Sequence, residues 1–89
     1  MPKHHYLKLF ERYYKAVVRG EKLSEVRYND RNYRVGDTIT LLEGKPGLDG
    51  FEYTGRKISA RISYIDGFGL NAGYVNLSIK LIDDSEVAK

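Results

Sequence analysis

Gly20-Glu21-Lys22-Leu23-Ser24-Glu25-Val26-Arg27 is the stretch where one periodicity ends and another begins. Before it, Phe10, Tyr13, Tyr14, Val17 and Val18 recur at helical spacing, with Glu11 in the first turn, Arg19 in the last and Gly20 as the stop. That pattern predicts one amphipathic helix of about ten residues, whose buried face includes Tyr13 and Tyr14. From Leu23 to Asn29 the period changes to two, so Ser24, Val26 and Tyr28 face one way and Leu23, Glu25, Arg27 and Asn29 the other. Glu25 and Arg27 then leave the same side of a strand, and Lys22 joins them from the preceding turn. A guanidinium can grip a phosphate through two parallel N–H bonds, a carboxylate can accept from the exocyclic amine of a base, and an ammonium adds a point charge. The trio suits a nucleotide; it would serve equally as an ion pair that orders the helix-to-strand turn with no ligand at all.

Outward from this stretch the chain alternates between strand and turn signals. His5 to Leu9 reads as a short strand, Leu7 and Leu9 against Tyr6 and Lys8. Asn29-Asp30-Arg31-Asn32 forms a turn, since Asn and Asp bond the nearby backbone, and the apolar, β-branched run Thr38 to Glu43 makes a core strand. Gly44 to Gly50 is expected to be the most mobile loop, followed by a brief strand at Phe51 to Thr54. Ile58, Ala60, Ile62 and Tyr64 alternate with polar residues in a half-buried strand that would place Tyr64 in the core. A glycine-containing connection at 66–73 leads to a last strand on Val75, Leu77, Ile79 and Leu81, and the polar tail from Asp83 should fray. The expected fold class is α+β and mostly β: a small barrel of five to six mixed strands with one main helix after the first, because an open sheet of this size leaves its edges unprotected.

With 89 residues, 42% of them hydrophobic and 30% charged, the chain is expected to form one domain over 1–89, its core at about 5–82 and its tail at 83–89. It has no cysteine, which excludes disulfide staples and thiol chemistry. The absence of a long apolar run and of an apolar leader after Met1-Pro2-Lys3-His4-His5 leads to the expectation of a cytoplasmic protein away from membranes. Charge is unevenly distributed: residues 1–34 hold nine Lys and Arg against four acids, the remainder six against eight. Such a division lets one basic surface face phosphates although the net charge is only +3.

The signature around Lys22 gains meaning from its surroundings. Gly20, Lys22, Glu25 and Arg27 fit the pattern GxKxxExR, and it is followed by Asn29-Asp30-Arg31, Val35-Gly36-Asp37, Tyr53-Thr54-Gly55-Arg56 and Gly73-Tyr74-Val75. In this order, over residues 5–82, the chain resembles the ASCH domain of the PUA-like superfamily, and most of all a short bacterial and phage family of unknown function. The resemblance implies a β-barrel whose cleft is lined by the signature and a function as an RNA- or nucleotide-binding module. Lys22, Glu25 and Arg27 would then be ligand-binding, with Arg31 and Arg34 as phosphate contacts, because neither has an obvious local duty. Tyr53 and Tyr74, near strand ends, are the candidates for base stacking.

Two enzymatic alternatives follow from the same resemblance. Some ASCH-like relatives are amidohydrolases on acylated cytidine, but they carry threonine where this chain has Glu25, and Ser24 points to the opposite face. Others are ribonucleases, for which Lys22, Glu25 and Arg27 would carry general acid–base cleavage without a metal. A protein-interaction role, with the basic half on an acidic partner, is the third reading. His4 and His5 lack a spaced third ligand, and 66–73 lacks the Gly-Lys-Ser/Thr ending of a phosphate loop, so no metal or cofactor is expected.

Overall fold

The structure, a computed structural model, describes residues 1–88. Strand β1 (His4–Phe10) runs directly into helix α1 (Glu11–Val18), followed by β2 (Ser24–Tyr28), β3 (Thr38–Lys45), β4 (Glu52–Asp66) and β5 (Tyr74–Ile82). All five strands belong to one sheet in the order β1-β3-β4-β5-β2. β1 lies parallel to β3, with Leu7 opposite Leu41, while the other three pairings are antiparallel. The sheet curls into a half-barrel, mostly β and mixed in direction, with the single helix where the periodicity placed it.

The core follows from alternation. Leu7 and Leu9 of β1, Ile39 and Leu41 of β3, Ala60 and Ile62 of β4, and Leu77 and Ile79 of β5 point into one cluster, sealed by Tyr14 and Val17 of α1. The helix has eight residues rather than ten, and it ends at Gly20 (φ +76°), whose N–H donates to Val17 O. So short a helix buries one narrow face: Tyr14 and Val17 reach the core, while Phe10, Tyr13 and Val18 stay exposed. The expected burial of Tyr13 is therefore wrong.

Tyr64 is likewise outside. The β4–β5 register slips between Ile62 and Tyr64, and that extra residue inverts the alternation, so Tyr64 faces solvent and Ile65 packs against the core. The supposed loop at Gly44 is strand as far as Lys45. The two strands expected at Phe51–Thr54 and Ile58–Tyr64 are one fifteen-residue strand, continued through Gly55 (φ +94°). Gly44 must be glycine because a Cβ there would sit 2.2 Å from the Phe51 ring. The tail does not fray where it is described. Asp84–Glu86 forms a 3₁₀ turn capped by Asp83, Ser59 Oγ donates to Asp84, and the Ala88 N–H donates to Thr38 Oγ1; Lys89 lies outside the described residues.

The N-terminal strand is anchored at Asp37. Its carboxylate accepts from the main-chain N–H of Lys3 and of Arg34 and lies 2.8 Å from His5 Nε2, while His4 is held between the hydroxyls of Thr38 and Thr40. Burial alone would raise the Asp37 carboxyl, but these three donors outweigh it and hold it below the usual range.

Candidate functional site

β1 and β2 are the two edges of the sheet, and side chains bridge them where no backbone ladder does. Arg27, on β2, donates through Nη2 to Lys8 O, and Arg31, just beyond β2, donates through Nη1 to Tyr6 O at 2.6 Å. Two guanidinium groups thus satisfy alternate carbonyls of an edge strand that would otherwise be open to pairing. Arg31, expected to have no local duty, thus has a structural one.

Glu25 lies beneath the seam. It stands opposite the fully buried Leu77 on β5, so its alternation with Val26 turns the acid inward and leaves Val26 exposed. The carboxylate is 6% exposed, with one oxygen 2.5 Å from Lys22 Nζ and the other 2.8 Å from Arg27 Nε. Lys22 also donates to Ser24 O. The cations are 28% and 26% exposed and form the upper layer of the cluster. The trio therefore converges as the spacing requires; its acid is sealed, and its bases remain accessible.

They open onto a groove of about 520 Å³ between the β1–α1 junction and β2. Its walls include Lys8, Phe10, Tyr13, Lys22, Arg27 and Tyr74, with Tyr28 beside them. Tyr28 and Tyr74 meet edge to face, ring centroids 5.4 Å apart, and the Tyr28 ring covers Gly73, where a Cβ would lie 2.6 Å away. Lys8 extends over the Phe51 ring at 5.5 Å, and Phe51 in turn contacts Phe10.

Of the expected site residues, Lys22, Glu25, Arg27 and Tyr74 meet in this groove, and Arg31 sits at its seam. Arg34 and Tyr53 do not line it: Arg34 is exposed before β3, and Tyr53 packs edge-on against Phe51 at 5.0 Å. Asn29 performs the turn chemistry expected of it, its side chain accepting from Tyr33 N while its own N–H donates to Gly73 O. Lys8, Phe10, Tyr13 and Tyr28 were missed as groove residues. The outward phase of Lys8 on β1 was a readable signal, whereas Phe10 read as part of the helix; their proximity to β2 depends on sheet curl, which no local pattern encodes. Among the described residues no three His, Asp or Glu side chains gather as a metal site, and no helix is long and apolar enough to cross a membrane.

Residues 4–79 match the family described as Domain of unknown function (DUF3850). The chain belongs to that family. It is also similar to an uncharacterized 12.9 kDa protein in the GpA 3′ region of Escherichia phage P2, 44% identical over 63 residues, or 71% of this chain and 54% of the relative. The chain thus spans about half the length of the curated relative it matches. The region shared with the DUF3850 family contains all five strands apart from the last residues of β5, and with them the whole groove.

Proposed function

We propose that this DUF3850 chain is an ASCH-like module that binds single-stranded RNA or a nucleotide in the groove above Glu25. The observation that carries the proposal is the layering of the signature: a sealed carboxylate fixes Lys22 and Arg27 in position, while both cations stay open to an anion beside two exposed tyrosine rings. The groove-lining residues carry three positive charges against one negative, so phosphate enters a favourable field. Rings next to cations accept the stacking face of a base.

No observation favours the hydrolytic alternatives. Glu25 is 6% exposed with a cation on each oxygen, which holds it as a counter-ion rather than as a base beside water, and Lys22 reaches Ser24 only through its carbonyl. Release of cytidine from N4-acetylcytidine, abolished by Lys22→Ala, would reverse that judgement.

Anisotropy of a labelled single-stranded RNA across a salt series tests the proposal. Affinity should fall as salt rises, by roughly 0.7 log units per log unit of salt for each phosphate engaged. Lys22→Ala and Arg27→Ala should each weaken binding about tenfold or more. Folded variants that bind RNA as the parent does would sink the groove reading, and RNA binding that resists salt would remove phosphate contacts from it.

A further inference from the structure

The Tyr53-Thr54-Gly55-Arg56 stretch plays no part in the groove, yet it builds a second charged cluster. Glu43 of β3 is fully buried, and its Oε1 accepts from Thr54 Oγ1 at 2.5 Å and from Arg56 Nε at 2.7 Å. Thr54 Oγ1 in turn accepts from the Arg56 N–H, across a Gly55 whose left-handed backbone is what brings the two side chains to one acid. The bond from Arg56 outweighs burial and holds the Glu43 carboxyl below the usual range, so it is ionised. Its other oxygen, Oε2, is buried and has no partner.

Glu43 lines a hollow of about 250 Å³ with Tyr14, Lys15, Val18, Arg19 and Arg56, on the flank of α1 away from the groove. Arg56 uses only Nε on Glu43 and is 61% exposed, so its Nη groups face outward. Lys15 is exposed on the neighbouring helix turn, and Arg19 is paired at 3.0 Å with the exposed Glu21. Burial, and then the nearness of Glu43, push the Tyr14 hydroxyl above its ordinary value, which keeps it a proton donor.

An anchored arginine with two further cations selects an anion. A buried, ionised carboxylate with a spare acceptor rejects most anions, however, because it needs a donor. Both are carried by hydrogen phosphate, with three acceptor oxygens and a P–OH, and by a singly protonated phosphate monoester, with two terminal acceptors and a P–OH. Sulfate and an internal phosphodiester carry no such proton. We propose that Arg56, Lys15 and Arg19, arranged around Glu43, form an anion site for protonated phosphate, inorganic or at the terminus of a nucleotide. Phosphate oxygens meet the three cations, and its hydroxyl donates to Glu43 Oε2. The site does not depend on the function of the groove.

The test is a set of amide-shift titrations of the whole chain at pH 6, where a monoester keeps its second proton on about half of the molecules. The probes are inorganic phosphate, a nucleoside 5′-monophosphate and sulfate. Phosphate and the nucleotide should move the Thr54, Gly55 and Arg56 amides, with sulfate about tenfold weaker or more. Arg56→Gln and the exposed-site variant Lys15→Ala should each weaken phosphate, the first by roughly tenfold. Tighter binding of the nucleotide identifies a nucleotide terminus as the source; equal binding identifies the phosphate group alone, and either supports the site. The proposal is overturned if those amides stay still, if sulfate matches phosphate, or if both variants bind as the parent does. Shifts confined to Lys22–Arg27 would overturn it too and leave the groove untouched.

Discussion

Glu25 and Glu43 are both buried acids fronted by an arginine, but they differ in how completely they are used. Glu25 has a cation on each oxygen, and its arginine continues to the carbonyl of Lys8. Glu43 has both donors on one oxygen and none on the other, and its arginine ends in solvent. The contrast separates a latch from an open acceptor: the first acid fixes two cations, while the second keeps acceptor capacity of its own.

Removing each acid should expose that difference. Glu25→Ala leaves Lys22 and Arg27 without their partner at the seam between the sheet edges, and should destabilise the fold by about 2 to 4 kcal/mol, read from the urea midpoint. A loss under ~1 kcal/mol would mean that the latch contributes little. Glu43→Gln keeps the shape and loses a bond to an arginine already screened by water, so the expected loss is about 1 kcal/mol. If Glu43→Gln proves the more damaging of the two, the comparison is inverted.

Acidification should sharpen it. Asp37 and Glu43 are both held below the ordinary carboxyl range in the fold, so their contribution is present above the unfolded-state values near pH 4 and is lost as pH falls through the folded ones. Stability measured downward from about pH 5 should drop, and Glu43→Gln should drop less steeply because one of the two groups no longer titrates. Parallel curves for parent and variant would remove Glu43 from the linkage.

The signature cluster was legible in the sequence because it is local: Lys22, Glu25 and Arg27 sit within six residues, and strand alternation sets their side. Their burial order was not, since it needs Leu77 across the β2–β5 ladder and the main chain of Lys8 across the seam. The Glu43 cluster was invisible for a related reason. Thr54 and Arg56 meet Glu43 across a hairpin whose register slips between Leu42 and Gly44, and Tyr14 and Lys15 arrive from the helix. Tyr64 failed on a similar slip in β4, a single extra residue that inverts everything after it. Periodicity fixes which residues share a face within an element; bulges and curl decide which faces meet.

The tyrosines offer the finest distinction between the two regions. Tyr74 stands at the groove, edge to face with Tyr28, whereas Tyr53 leans on Phe51 at 5.0 Å outside it. Both are exposed, at 43% and 54%, so neither substitution should disturb the core. A base that stacks in the groove contributes about 1 to 3 kcal/mol through its ring, and Tyr74→Ala should therefore weaken RNA about fivefold or more while Tyr53→Ala leaves it unchanged. Phosphate titration of the Thr54–Arg56 amides should be indifferent to Tyr74→Ala, because that hollow lies on the far flank of α1. Were Tyr53→Ala the variant that lost RNA, the ligand would follow the hairpin rather than the seam, and the two clusters would have exchanged roles.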